Sequence, residues 1–245
     1  MLSLDAHPAG PAARWSGRRV AVARPAVSEA FAVVSRRTKN LQKRDVQALD
    51  DAVSGIVSEL KKKGELDNTL IIFHSDNGWL MGEHRIPGDK YVPFEESLIV
   101  PTVIRGPGWP AGKEVSALAS NVDLARTILA ATGAKANRTQ DGIDLKPLAQ
   151  GKVKKRKAIL IEATRPLFVL PGFPYQWDVP YYGVRTERYK YVNWSYGEEE
   201  LYDLQSDPYE MENRAADPAY TDTKAGLLKL ADRLRKCKGS ACVAR

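Results

Sequence analysis

TLIIFHSDNGWLMGEHRIPGDK, residues 69–90, decides how the rest of the chain is read. TLIIF is a short apolar run with β-branched residues, the composition of a buried strand. Just upstream, Val46, Leu49, Val53, Ile56, Val57 and Leu60 recur at steps of three and four, one apolar face of an amphipathic helix. Lys61–Lys63 place positive charge at the C-terminal end of that helix, and Gly64 stops it. A helix followed at once by a buried strand is the mark of an α/β fold. The pattern repeats downstream. VPTVIRGPG predicts a strand near 100–105 with a Pro/Gly turn behind it. SNVDLARTILAATG predicts a helix with Ser120 as its cap, Asp123 in its first turn and Gly133 at its end. AILIEA, 158–163, predicts another strand.

The texture differs at the two ends. Residues 1–43 are dominated by Ala, Arg and Pro without a period, and are expected to be irregular or disordered. Residues 44–170 form the α/β part. Residues 171–245 form a smaller antiparallel α+β part. There, YYGVRTERYKYVNW predicts two strands about a turn near Thr186–Arg188, ELYDL a third short strand, and residues 220–236 a last amphipathic helix.

The polar residues that follow TLIIF fall where ligands gather in open α/β sheets, at the carboxyl end of a strand. Asp76 and Asn77 offer two hard oxygens to Ca²⁺ or Mg²⁺. Gly78 lets the chain turn sharply behind them. Lys90 brings a long cationic arm back from the far side of the loop, and His84 lies between. Together they would stabilise charge on a sulfate or phosphate oxygen. A plain surface turn stands beside this reading, because S-D-N-G is a common turn former. From those four residues alone, the turn is the commoner outcome.

Bulk composition excludes other classes. A chain of 245 residues with 43% hydrophobic and 27% charged residues is that of an ordinary globular domain. No apolar run approaches the roughly 18 residues of a membrane span. MLSLDAHPAGPAARW lacks the continuous apolar segment of a signal peptide, so localisation stays open. The formal charge of +7 is spread over short runs, Lys61–Lys63, Lys152–Lys157 and Arg233–Lys238, which read as solvated helix ends and loops. With no zinc-finger spacing, ribonucleoprotein motif or basic zipper, nucleic acid is not an expected partner. Cys237 and Cys242 admit either a small disulfide loop or two free thiols.

A longer stretch, DNTLIIFHSDNGWLMGEHRIPGDKYVPFEESLIVPTVIRGPGWPAG, resembles the sulfatases of the alkaline-phosphatase superfamily. An apolar strand, S-D-N-G, a G-E-H segment, a lysine, E-E-S, V-P and R-G-P-G follow one another in order. SNVDLARTILAATGA, QDGIDLKPL, GVRTERYKYV and ELYDLQSDPYEMEN continue the likeness, which covers about residues 44–245. The wording is closest to the N-acetylglucosamine-6-sulfatase type. The resemblance implies part of a larger, mostly parallel sheet with helices, followed by the small antiparallel subdomain, and a sulfated small molecule or glycan as ligand. It implies that Asp76 and Asn77 are metal ligands and that Lys90 holds the sulfate and steadies the leaving-group oxygen. It also implies a place near the substrate for His84. Glu95 and Glu96 are expected to orient the loop or cap a helix, and Arg105 to belong to a structural turn.

One part of the family pattern is missing. Sulfatases use a formylglycine made in a C-x-P-S-R-type motif, preceded by an early pair of metal-binding aspartates. Cys237 precedes Lys-Gly-Ser and Cys242 precedes Val-Ala-Arg, so neither fits, and Asp50–Asp51 sits inside a helix. The chain therefore resembles the C-terminal portion of a sulfatase and is expected to be inactive alone and to self-associate through an incomplete sheet. A phosphate or phosphonate ester hydrolase of the same superfamily, and a non-catalytic anion-binding remnant, are the competing readings.

Overall fold

A computed structural model of the chain describes residues 29–86, 90–164 and 180–244, with side chains from residue 45 onward. It begins with helix α1, Glu29–Lys62. The helix thus starts well before Arg44 and takes in residues 29–43, which were expected to be irregular. From Glu29 to Ser54 the sequence contains neither Gly nor Pro, so nothing interrupts helix propagation even where the apolar period is weak. The chain leaves α1 through Gly64, whose φ of 70° is left-handed. Among the described residues the apolar face of α1 is only partly covered: Val46 and Ile56 stay 63% and 57% exposed, while Val53, Val57 and Leu60 are half-buried.

Strand β1, Ile71–His74, falls on the expected apolar run but is half-buried along its length, not buried. It pairs with β2, Thr102–Arg105, after a long loop holding the one-turn helix α2, Glu95–Leu98. The pairing is antiparallel, with Ile71 opposite Arg105 and His74 opposite Thr102. The expected mostly parallel sheet is therefore absent among the described residues. An apolar run reports a strand and says nothing of its direction. Here the intervening loop reverses the chain instead of carrying it back to the starting end, as a parallel crossover must. Arg105, expected in a structural turn, is instead the last residue of β2, where it pairs with Ile71 and its side chain donates to the Leu66 carbonyl at 2.6 Å and to Asp67 at 2.9 Å.

Helices α3, Val122–Thr132, and α4, Leu145–Ala149, follow. Gly133 ends α3 with φ 69°, but Ser120 is not its cap. No side chain caps it; Asp123, in its first turn, ties neighbouring segments to the helix instead, accepting from the Ser120 N–H at 2.8 Å and the Ile143 N–H at 2.9 Å while pairing with buried Arg156.

The second sheet is antiparallel throughout, in the order β3-β4-β5-β6. The strands are Ala158–Ala163, Tyr181–Thr186, Tyr189–Trp194 and Glu199–Asp203. The three C-terminal strands stand where the sequence placed them. AILIEA, assigned to the preceding α/β part, is β3 and pairs with β4 along its whole length. The expected boundary at 170/171 lies outside the described residues, yet it falls between two partners of one sheet. Period-two alternation gives this sheet two buried faces. Val184, Tyr191 and Leu201 pack on α5, Thr221–Arg235, through Leu227, Ala231 and Leu234. The opposite face shows Lys190, Val192, Trp194, Glu200 and Tyr202, and the loop between β1 and β2 lies against it through Leu80, Ile86, Val92, Phe94 and Leu98. A Cys237–Cys242 disulfide closes the chain end, and Ala244 bridges back to Ala158. No helix among the described residues is long and apolar enough to cross a membrane.

Candidate functional site

Asp76 and Asn77 stand just past the end of β1, in a bend. The Asp76 carboxylate accepts from the Asn77 N–H at 3.0 Å, and Ser75 Oγ donates to the Asn77 carbonyl at 2.9 Å. Asn77 Nδ2 donates to the Gly78 carbonyl at 2.8 Å, which fixes the amide and presents its oxygen as the other end. The S-D-N-G segment is thus a bend held by its own side chains, and also a pair of adjacent oxygen donors. That donor set fits a hard divalent cation in kind. Two side chains are a fraction of the six to eight oxygens calcium takes, so the described residues hold part of such a site.

Gly78 is needed for packing. A Cβ there would sit 2.0 Å from the Glu96 carbonyl oxygen, so only glycine lets the turn approach α2 this closely. The Gly78 N–H donates to the Ser97 carbonyl at 2.8 Å. From the same residue, Ser97 Oγ donates to the carbonyl of Lys90. The turn bearing Asp76–Asn77 and the chain bearing Lys90 are therefore both fastened to one serine of α2.

His84 reaches the same helix from a third direction. Its ring stacks on Phe94, the residue before α2, with centroids 3.7 Å apart and planes 7° from parallel, and Nε2 lies 3.5 Å from Glu96. The backbone is left-handed at His84 (φ 51°) and again at Arg85 (φ 61°). Two successive non-glycine residues in this region cost about 1–3 kcal/mol each, which packing must offset. Burial lowers the His84 pKa; Glu96 opposes this and Lys190 adds to it. The imidazole is thus held neutral, able to accept or donate one proton, beside a carboxylate.

What holds α2 itself went unread in the sequence. Glu95 is clamped by Arg185 of β4 at 3.0 Å and by Lys190 of β5 at 3.4 Å, while its N–H donates to Glu210 at 2.8 Å. Lys190 pairs with Glu210 as well, and these two side chains are 0% and 1% exposed. Glu95 does orient the loop, by anchoring it to the C-terminal sheet. One signal was available: the alternation of YKYVNW sets Lys190 on the same face as Val192 and Trp194, where a lysine needs a buried partner. His84, Glu96 and Glu210 bring ligand atoms within 4.8 Å of one another. Of these, Glu210 is paired with the Lys190 ammonium, and Glu96 with His84.

Comparison with known proteins bears on the family of the chain. The sulfatase family model matches residues 8–134, starting earlier than residue 44, and the model for N-sulphoglucosamine sulphohydrolase, C-terminal, matches residues 82–238. An N-acetylglucosamine-6-O-sulfatase of Bacteroides thetaiotaomicron is 33% identical over 199 residues, 78% of this chain and 34% of that protein. A solved structure of a protein bound to its substrate D-glucosamine-2-N,6-O-disulfate superposes with a TM-score of 0.69 at 32% identity, covering 78% of this chain and 39% of that one. A phosphonate monoester hydrolase of Agrobacterium radiobacter superposes with a TM-score of 0.67 at 33% identity, covering 76% and 38%. The chain spans between a third and two-fifths of the length of these relatives. Two family models in register with the ordered motifs, and an α/β arrangement of helices and sheets shared with sulfatase structures, lead to one conclusion: this chain belongs to the sulfatase family.

Proposed function

We propose that the chain carries the anion-gripping part of a sulfuric ester hydrolase site, and that its ligands are sugar sulfates. The observation that carries this reading is the shared bracket: Ser97 binds the turn of Asp76–Asn77 with its carbonyl and the Lys90 segment with its hydroxyl. Candidate metal ligands and candidate sulfate-binding lysine are thereby set by one residue. Asp76 and Asn77 would hold Ca²⁺ or Mg²⁺, which when bound supplies positive charge beside a sulfate oxygen. Lys90 brings an ammonium to the same anion and to the leaving-group oxygen. His84, neutral and stacked on Phe94, can exchange a proton with a sugar hydroxyl or the departing oxygen. The neighbour bound to D-glucosamine-2-N,6-O-disulfate supports a sulfated sugar as ligand.

The family's formylglycine does not fit this chain. The two cysteines lack the C-x-P-S-R context and are bonded to each other. Neither cysteine fits the family's nucleophile, so the reading concerns how the chain's own residues grip the ester and its leaving-group oxygen. Calorimetric titration tests it. D-glucosamine-2-N,6-O-disulfate should bind in the presence of calcium, Asp76→Ala should remove the calcium dependence, and Lys90→Ala should weaken binding on the order of tenfold or more. Calcium-independent binding unaffected by either substitution would refute the assignment. The likeness to a phosphonate monoester hydrolase favours a second reading, in which the same residues grip a phosphonate ester. Preference for a phosphonate monoester over the sugar sulfate in the same titration would select it.

A further inference from the structure

We infer that Lys190 and Glu210 are positioning residues for the candidate site: together with Glu95 they form a buried latch through which the C-terminal sheet sets the place of α2, and α2 sets the places of Asp76–Asn77, His84 and Lys90. The role given to those four residues rests on the proposed function above. The latch itself rests on geometry alone.

The chain of contact is continuous. Lys190 projects from β5 on the sheet face opposite α5, beside Val192 and Trp194, and its ammonium lies between Glu95 and Glu210. Glu210 sits in the turn after β6 with a left-handed φ of 54°, its N–H donating to the Asp207 carbonyl. One of its oxygens meets Lys190 and the other accepts from the Glu95 N–H, the first of α2. Arg185 from β4 closes the fourth side on Glu95 at 3.0 Å. Two carboxyl groups and two cations therefore meet in a mostly buried space, and removing one partner leaves another buried without its counterpart. Two residues further along α2, Ser97 fastens Gly78 and Lys90. Glu96 and Phe94, on either side of Glu95, hold His84. Three parts of the candidate site thus hang on one helical turn, and that turn is docked on the sheet by charge. A docking built on charge specifies one register, where an apolar contact would tolerate sliding.

The cluster is also electrostatically joined to His84. The charges facing that ring are Glu96 and Glu83 from its own loop and Lys190 from β5, with Glu210 among the groups within 4.8 Å. Loss of the Lys190 cation should therefore be felt at an imidazole it does not touch.

Hydrogen exchange and imidazole titration by NMR on the full chain test this. Glu210→Gln and Lys190→Met should speed exchange of the Gly78 and Glu95 amides on the order of tenfold or more, while amides of β4–β6 and α5 keep their protection. Lys190→Met should raise the His84 pKa. The Gly78 amide is the discriminating probe, because it bonds to Ser97 and touches neither substituted residue. Should Lys190→Met fail to fold, the double variant Lys190→Met/Glu210→Leu replaces the pair by apolar side chains. The inference requires that it keep the sheet and still expose Gly78. Unchanged Gly78 exchange in a folded variant overturns the latch, and so does loosening spread evenly over the whole sheet. Calcium-dependent binding of D-glucosamine-2-N,6-O-disulfate separates the two proposals. No binding by the parent chain sinks the functional reading and leaves the exchange result to judge the latch.

Discussion

The two sheets of this molecule are built from similar residues and end in opposite states. In the C-terminal sheet Val184, Tyr191 and Leu201 are fully buried against α5, and the other face is covered by the loop that carries the candidate site. In the N-terminal region the β1–β2 pair leaves Val103 63% exposed, Ile99 just before it 62%, and α1 turns part of its apolar face outward. Apolar patterning was equally clear in both. The difference is whether the chain supplies both partners of each apolar face. The C-terminal sheet receives a helix from sequence that follows it and a loop from sequence that precedes it. The β1–β2 pair is two strands wide, which rarely suffices for independent stability.

That contrast can be broken by truncating matched side chains. Leu201→Ala empties a closed core and should cost about 2–5 kcal/mol, whereas Ile56→Ala or Val103→Ala should change stability by less than about 0.5 kcal/mol. Denaturant melts followed in the C-terminal tyrosines read both. Comparable losses at the two places would mean that the exposed faces are covered in solution.

The charged contact between the two regions should show in pH. Burial pushes the Glu210 carboxyl up to about 7, against the pull of Lys190. In the unfolded chain the same group returns to its ordinary 4.5. Between those values the folded form holds the extra proton. Stability therefore falls as pH rises through that window, by at most about 1.4 kcal/mol per pH unit. His84 acts in the other direction. Its lowered pKa means the folded form sheds a proton, so stability falls as pH drops below the ordinary 6.5. Glu210→Gln isolates the first effect, and its stability curve should lack the decline between 4.5 and 7. A parent and a variant with parallel curves would show that Lys190 keeps Glu210 ionised throughout.

Two smaller tests probe the edges of each region. Reducing the Cys237–Cys242 bond opens a short loop and should cost about 2 kcal/mol in the loop-entropy picture, freeing Ala244 from its place beside Ala158. Amide exchange at Lys157, which donates to the Ala244 carbonyl at 2.6 Å, would report the release. On the N-terminal side, Ile56→Lys and Val103→Lys should leave the melting point almost unchanged and reduce concentration-dependent association in sedimentation. Exposed apolar faces of this kind mark interaction surfaces. Association that persists in both variants would place the sticky surface elsewhere.

Much of the local structure was legible because its causes are local. The β4–β5 hairpin, helix α5, the Gly64 and Gly133 stops and the bend at S-D-N-G follow from residues a few positions apart. The disulfide was one of two outcomes the spacing allowed. Two local readings failed. Ser120 does not cap α3, where Asp123 is engaged instead by the distant Ile143 N–H and Arg156, and α1 ran back to Glu29 because no breaker stops it. What stayed hidden has its cause far along the chain. The antiparallel direction of β2, the pairing of AILIEA with the C-terminal strands, and the contacts of Glu95 with Lys190 and Glu210 are all long-range.

By itself, the sequence determined membership in the sulfatase family, the identity of Asp76, Asn77, His84 and Lys90 as candidate site residues, and the lack of a C-x-P-S-R motif in this chain. These are matters of which side chains exist and in what order. Only the tertiary structure decided what those residues are fastened to. Hydrogen bonds of Gly78 and Lys90 converge on Ser97, His84 stacks beside it, and the whole turn is docked by a lysine and a glutamate buried where an uncompensated charge would be expelled. Such a bracket depends on distance in space and on the exclusion of water, and neither is written in the order of the residues.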